Sequence, residues 1–546
     1  MATEQTKEIK NKNSNFLIQG SILAIAGIVV RLIGLAYRIP LIRIIGDEGM
    51  GYYSVAYEIY SVVLLLSSYS LPLAVSKMIS ARIAKEDYGN ARRIFRVALL
   101  YATVVGAAGC IFVALSADWF ANVFYMLPLC KYALISLAPT IWIMAYLGVM
   151  RGYYQGQSTM VPTAISQILE QVANAVISVG AAWWLCHMAL NAAQGESVAS
   201  AWGAAGGTIG TGAGALTALI VLLIMYLKGR KEWKENAALS IENGTELESY
   251  RSISKVLFWT VVPVILSTAV YNISGIIDAE LFSTTMVKHF AMNSSDVAAE
   301  YGAYTGKFKT LINIPIAIAN SLSSSLIPVM ARAAAENDKK GVDDGITKAL
   351  RFTVLIALPA AVGLTVLGGP VIGLLFGKSD VAAMMATIGS FSVLFYSVST
   401  VTNAILQGNN HMRLPVIHAV ISLAIHVAAL IFMMRVLKLG VYSVVLANML
   451  FAVTMVIFNG ISITKKLGYK HEWKQTIIMP LICSFAMGAV TIGVQFLVKR
   501  FISTSNLVVT AVCIIVAVVV YAASIIFTGC ITKEELKSFP IIKKFV

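Results

Sequence analysis

Unbroken apolar stretches of 18 residues or more recur from end to end of this 546-residue chain. Each can cross a hydrocarbon layer of about 30 Å as a helix rising about 1.5 Å per residue. Backbone groups in hydrocarbon must pair within the chain, which admits only helices and closed barrels. Barrel strands would alternate apolar and polar residues over about ten positions, and no such alternation is present. The predicted fold is an all-α polytopic membrane protein. Composition agrees, with 58% hydrophobic and 13% charged residues, about half the charge of a soluble domain. Fourteen transmembrane helices are expected, at 16–37, 52–78, 97–117, 130–150, 162–186, 202–227, 256–281, 308–331, 350–376, 382–406, 414–437, 441–464, 475–498 and 506–529.

The net charge is +15. With the amino terminus inside, most of the 42 lysines and arginines fall on cytoplasmic segments, chiefly 82–96, 228–255 and 332–351. That bias is the positive-inside signal. It places both termini in the cytoplasm and assigns the basic loops to anionic lipid rather than nucleic acid. The cysteines (Cys110, Cys130, Cys186, Cys483, Cys513, Cys530) are scattered in or beside apolar spans without a C-x-x-C pair, and read as small core residues. The first span is too long for a cleaved signal peptide and contains Arg31.

The chain repeats itself. Ala81-Arg82-Ile83-Ala84-Lys85-Glu86 returns as Ala331-Arg332-Ala333-Ala334-Ala335-Glu336, and Gln155-Gly156 with Met160 returns as Gln407-Gly408 with Met412. Both pairs occupy equivalent places, after spans two and eight and after spans four and ten. A six-span unit returns the chain to its starting side, so the halves are expected to be parallel repeats with a substrate path between them. The expected organisation is an N-lobe (1–230), a C-lobe (231–470) preceded by a basic cytoplasmic linker, and an appended helix pair with a cytoplasmic tail (471–546). In span six, Gly203-x-x-x-Gly207 and Gly210-x-x-x-Gly214 permit close helix packing.

Charged residues inside the spans need a reason. A guanidinium cannot be deprotonated in a protein, and placing one in lipid costs from about 3 to above 10 kcal/mol. Arg31 and Arg38 stand seven residues apart in or beside span one, hence on one helical face, and are expected to line an aqueous cavity. Glu58 of span two is at the same depth as Arg31, roughly 9 Å below the outer rim at helical rise, and is the expected partner. Lys77 either snorkels to the headgroups or faces the cavity. Lys307 and Lys309 open span eight, with Asp278 closing span seven as a candidate counter-charge; interfacial anchoring is the plainer reading of the lysines. Gln167, Glu170, Gln171 and Asn174 make one face of span five polar, and Arg151 either pairs with Glu170 or sets topology. Cationic groups beside apolar helix surface suit an amphipathic anionic ligand with a phosphate head.

No nucleotide-binding loop is present: Gly373-Leu374-Leu375-Phe376-Gly377-Lys378-Ser379 is one residue short of G-x-x-x-x-G-K-[ST]. The histidines form no metal-ligating pair, so neither cofactor nor metal is expected. Transport would draw on the membrane potential, an ion gradient or the substrate's own gradient, with Glu58, Glu170 or Asp278 available to a proton relay.

Arg151-Gly152-Tyr153-Tyr154-Gln155-Gly156-Gln157, followed by Pro162-Thr163-Ala164-Ile165-Ser166-Gln167-Ile168-Leu169-Glu170-Gln171, together with Leu71-Pro72-Leu73-Ala74-Val75-Ser76-Lys77, resembles the polysaccharide-biosynthesis branch of the multidrug/oligosaccharidyl-lipid/polysaccharide exporter superfamily. Within it, the chain is most similar to lipid II flippases of Gram-positive bacteria and to the stage V sporulation protein B group, over roughly residues 16–470. The resemblance implies two six-helix lobes plus an extra pair, alternating access, and an undecaprenyl-pyrophosphate-linked peptidoglycan precursor as substrate. It implies membrane lipids as surroundings and admits cell-wall synthesis proteins as partners. Family members hold the pyrophosphate with cationic residues from helices one, two and eight. Arg31 matches that pattern, Arg38 is displaced by one residue, span two has no arginine, and span eight offers Lys307 and Lys309. The alternatives are a flippase for another undecaprenyl-linked glycan, such as a capsule or teichoic-acid precursor, and a cation-coupled multidrug exporter. A glycan polymerase would need a large outer loop bearing catalytic side chains, and 282–307 is short, so no enzyme is expected.

Overall fold

A computed structural model describes residues 2–242, 245–470 and 472–530; His471 and the expected tail beyond 530 lie outside the described residues. Every regular element described is helical. By length and composition, ten of the described helices can cross a membrane, or eleven if one bent pair is a single span. The first of these, Ile25–Ile83, takes in expected span two and expected span one from residue 25 onward. The protein is therefore a polytopic helical membrane protein, and fourteen remains the sequence's expectation rather than a count read from the helices.

Contacts divide the chain after Gly302. That point lies beyond the boundary expected near 230. The first unit opens with α1 (Ala2–Leu64), whose helical path breaks at Gly46 (φ 70°, ψ −178°). That conformation is open essentially only to glycine. The break brings Arg38 back beside Tyr53 and Tyr57. Span one was expected to end at Tyr37, with a loop before Tyr52; instead the helix runs through Pro40, and the loop shrinks to one residue. A π-helical turn at Leu65–Tyr69 leads into α2 (Leu71–Ile83), which starts with Pro72 in its first turn, where the missing N–H costs nothing.

There follow α3 (Tyr88–Trp119), α4 (Lys131–Gly156), α5 (Val161–Asn191), α6 (Glu196–Glu242), α7 (Tyr250–Phe290) and α8 (Ser294–Gly302). The basic segment from 228, expected as a loop, continues α6 as helix to Glu242. The reason is Trp233, 5% exposed, packed edge-on against Tyr88 and Tyr153 at centroid distances of 5.8 and 5.2 Å. Beyond α6, buried Asn90 holds the connecting segment. Its amide donates to the Glu246 carbonyl at 2.9 Å and its oxygen accepts from the Glu248 N–H at 2.8 Å. Arg93 donates to the Glu248 carbonyl at 2.6 Å and lies 4.9 Å over the Tyr250 ring, while Arg82 pairs with the Glu248 carboxylate.

The glycines of α6 serve two neighbours. A Cβ at Gly206, Gly210 or Gly214 would meet the backbone of Ala181, Ser178 or Glu170 on α5, whereas Gly203 and Gly207 face Ile45, Leu41 and Tyr53 of α1. The glycines of α6 that face α5 have the i, i+4, i+8 spacing of a single helix face, and reading only the pairs 203/207 and 210/214 missed Gly206.

The second unit contains a π-helical turn (Ala303–Phe308), then α9 (Lys309–Ala335), α10 (Lys339–Phe376), α11 (Asp380–Gly389), α12 (Ser392–Gly408), α13 (Arg413–Arg435), α14 (Tyr442–Leu467), α15 (Met479–Phe501) and α16 (Asn506–Phe527); α11 and α12 meet at 51°. Its local geometry repeats that of the first. Asp87 caps α3 by accepting from the Asn90 N–H, and Asp338, 251 positions on, caps α10 by accepting from Gly341. Each cap follows a left-handed residue, Glu86 (φ 58°) or Asn337 (φ 54°). Gly156 closes α4 against Ile79, and Gly408 closes α12 against Met330. Both sequence matches thus mark helix ends that are built alike in the two units.

Candidate functional site

In the first unit, the polar residues of the spans converge on α1. Arg38 is half-buried, hydrogen-bonded to Tyr37, with Tyr53 and Tyr57 as its other electrostatic neighbours. Tyr53 and Tyr57 stack with centroids 5.8 Å apart and planes 10° off parallel, and Tyr60 follows at 5.3 Å from Tyr57. The i, i+4, i+7 spacing aligns the three rings along one helix face. Tyr57 has Arg38, Glu170 and Glu58 among its electrostatic neighbours. This tyrosine row was missed in the sequence, although its spacing in span two carried the signal. Arg31 lies exposed two turns before Arg38.

The polar face of α5 completes this wall. Arg151 Nη2 contacts Glu170 Oε2 at 2.6 Å, with side chains 12% and 18% exposed, and its Nε donates to Ser166 Oγ at 3.2 Å. Of the two roles considered for Arg151, the ion pair is made. Asn174 Nδ2 donates to the Tyr37 hydroxyl at 3.5 Å. Ser178 donates to the Gly207 carbonyl at 2.7 Å and lies 2.8 Å from Asn174 Oδ1. Gln171 Oε1 approaches Gly34 of α1, and Gln167 is half-buried one turn before it. Glu58 is also half-buried. Its carboxylate occupies the place a Cβ on Gly275 of α7 would take, and it is an electrostatic neighbour of Tyr125. Asp278 is buried one turn beyond Gly275, 3% exposed. Lys77 is exposed on α2, which both of the roles expected for it require.

Lys307 and Lys309 belong to the second unit, whereas Asp278 belongs to the first. Lys307 is 4% exposed within the π-helical turn. Lys309 opens α9 with its Nζ 5.9 Å from the Tyr304 ring centroid, and that ring stacks on Phe308. Buried ammonium groups in or beside a membrane span are costly and normally serve a ligand or partner.

Chemically, the wall in the first unit offers a permanent cation, phenolic hydroxyls that donate or accept, and carboxylates held by an ion pair or by close helix packing. These groups are suited to binding charge.

Comparison with known proteins follows this geometry. A family model described as polysaccharide biosynthesis protein matches residues 17–334, and one described as MatE matches 263–430. The chain is 26% identical over 546 residues to stage V sporulation protein B of Bacillus subtilis (strain 168), covering 97% of this chain and 99% of that protein. It is 25% identical over 536 residues to the lipid II flippase MurJ of the same organism, covering 94% and 95%. The solved inward closed structure of a lipid II flippase MurJ superposes with TM-score 0.65 at 15% identity, covering 92% of this chain and 98% of that one. At that identity the likeness is one of fold.

Proposed function

The chain belongs to the polysaccharide biosynthesis protein family, and from that premise we propose that it is a flippase moving an undecaprenyl-pyrophosphate-linked peptidoglycan precursor, lipid II, from the inner to the outer leaflet by alternating access. The observation that carries this reading is Arg38, a permanent charge held half-buried among tyrosine hydroxyls in a transporter fold. Near-full-length similarity to a lipid II flippase and to stage V sporulation protein B supports it.

In the first unit, Arg31 and Arg38 take the pyrophosphate. Tyr53 and Tyr57 hydrogen-bond its oxygens, and Glu58 and Glu170, the latter steered by Arg151, keep the guanidinium oriented between turnovers. Lys307 and Lys309 carry the same phosphate-binding role for the second unit, with Lys77, Gln167 and Asp278 as lesser contributors. A charge-assisted hydrogen bond contributes about 1.5–3 kcal/mol, so losing one arginine should cost roughly ten- to a hundredfold in transport. Both termini lie in the cytoplasm, and the membrane potential or an ion gradient supplies the direction.

The test is complementation of a bacterium depleted of its lipid II flippase, using the wild-type chain, Arg31→Ala and Arg38→Ala, with membrane insertion checked by blotting. Wild type should restore growth and both variants should fail. If the inserted wild type fails, the lipid II assignment is wrong. A parallel strain lacking stage V sporulation protein B discriminates the second reading, because rescue there alone moves the role to sporulation.

A further inference from the structure

His418 of α13, 8% exposed, is a buried titratable side chain that belongs to a polar node joining three helices. Its Nδ1 lies 2.7 Å from Asn459 Oδ1 of α14, and its Nε2 lies 3.2 Å from Ser462 Oγ. Asn459 is fully buried. Its Nδ2 donates to Thr402 Oγ1 at 3.0 Å and to Asn403 Oδ1 at 2.8 Å, both on α12.

The direction of each bond follows from its neighbours. The Thr402 hydroxyl donates to main-chain carbonyls at 2.9 Å, so it accepts from Asn459 and leaves Asn459 Oδ1 toward the imidazole. Oδ1 can only accept, which puts a ring proton on Nδ1. Nε2 is then the open lone pair, accepting from Ser462. A hydroxyl both donates and accepts. When Nε2 takes a proton from solvent, the Ser462 hydroxyl turns to accept from it, and no heavy atom has to move.

The surroundings leave that charge free to come and go. At the spacing that separates Gln155-Gly156 from Gln407-Gly408, Arg151, Ser166 and Glu170 fall on Asn403, His418 and Ser422. The first set holds a fixed ion pair. The second has a titratable ring where the first has a serine, and a serine where the first has its carboxylate. Residues 392–408, 413–435 and 442–467, which form α12, α13 and α14, contain no Asp or Glu. Their other ionisable groups are Arg413, His426 and Arg435 on α13, Lys465, Lys466 and Tyr442 on α14, and Tyr396 on α12, which bonds to Asn448. Within these helices an imidazolium meets dipoles and the Phe458 ring, 5.9 Å away, and no carboxylate pins it. Ionisable side chains inside spans mark proton and ion paths, and histidine is the side chain whose charge changes near neutral pH.

We propose that His418 is a proton-binding site of the second unit, taking one proton at Nε2 beside Ser462. Occupancy puts a positive charge into a node that is otherwise neutral, and gives transport a pH dependence that the fixed Arg151–Glu170 pair cannot supply. Only this consequence for transport rests on the flippase reading; the site itself does not.

The test is nitrogen NMR of the full chain, labelled at histidine and reconstituted in liposomes. His418→Asn, whose amide keeps a donor toward Asn459, identifies the signal by its loss; if that variant does not fold, His418→Gln serves. The ring should carry its proton on Nδ1 at about pH 8 and protons on both nitrogens at about pH 5. Ser462→Ala should lower the ratio of charged to neutral ring at the acid end about fivefold, because a bond to a charged group is worth more than one to a neutral group. Flipping of lipid II by the same liposomes should change over this range in wild type and lose that change in His418→Asn. A ring still neutral at the acid end, already charged at the basic end, or protonated there on Nε2 alone would each overturn the site, as would a ratio unmoved by Ser462→Ala. Equal pH profiles in wild type and His418→Asn would overturn its part in transport. If neither protein flips lipid II at any pH, the flippase reading fails and the NMR result still decides the site.

Discussion

Replacing Arg151 by methionine tests whether the polar face of α5 is held by one ion pair. The pair closes at 2.6 Å with both side chains less than one-fifth exposed, and Arg151 also donates to Ser166. Removing one partner of a buried pair costs about 3–5 kcal/mol, because the remaining charge is stranded. Residual exposure of 18% at Glu170 lets some solvent reach the carboxylate and places Arg151→Met near the lower end, about 3 kcal/mol. Glu170→Met strands the guanidinium instead, but Ser166 still accepts from it, so a similar or slightly smaller loss of about 2–3 kcal/mol is expected. The double variant removes both charges into an apolar pair and should lose no more than about 3 kcal/mol, far less than the two losses added. Equilibrium unfolding of the detergent-solubilised chain in a denaturant titration, followed by circular dichroism, supplies all four corners of the cycle. If the single losses add to within about 0.5 kcal/mol, the two side chains do not act as a pair and the reasoning fails.

Gly275→Ala sets a methyl where the Glu58 carboxylate lies and should cut transport more than stability; shortening the acid in Gly275→Ala/Glu58→Asp should recover part of it, and no recovery would deny that contact. Gly210→Val drives a branched side chain into the Ser178 backbone, and overpacking of this kind costs about 1–3 kcal/mol; a melting temperature equal to wild type would show that α5 and α6 are not in close contact there. On α8, burial and then Asp296 hold the Glu300 carboxyl above its ordinary 4.5, so the folded state binds that proton more tightly than the unfolded chain. The stability this confers is complete below pH 4.5 and is lost as pH rises through the raised value. Glu300→Gln should therefore melt higher than wild type at pH 7 and match it at pH 4, and a difference that ignores pH refutes the burial account.

The helical membrane class was legible because hydrocarbon imposes so narrow a set of backbones, and the matching helix ends were legible because both are built from the same residues. What escaped were features set by contact between distant elements. Gly46 reads as one glycine in a loop, yet its positive φ lets two helices meet with no loop at all. The segment after 228 reads as a basic tether, and only the aromatic pocket around Trp233 makes it helical. Single charges stand out in a sequence because lipid penalises them, which is why Arg31, Arg38 and Glu58 were candidates from the start. Tyr53, Tyr57 and Tyr60 were not, since tyrosine carries no such penalty and is ordinary in a span. Gly206 was passed over because pairwise spacing does not say which neighbour each glycine faces.

The polar stretch from Thr245 to Ser249 looks like the obvious place to splice a fluorescent reporter or a protease site. Its main chain is already engaged: Asn90 grips it from both edges and two arginines fasten Glu248. Cargo inserted there would have to unbuckle those grips, leaving a buried amide with nothing to bind. The exposed turn at 192–195, carrying left-handed Ala193 and Gly195, bonds its main chain to the helix ends on either side, local ties that an insertion between Gln194 and Gly195 can keep, and is where the molecule should accept a passenger.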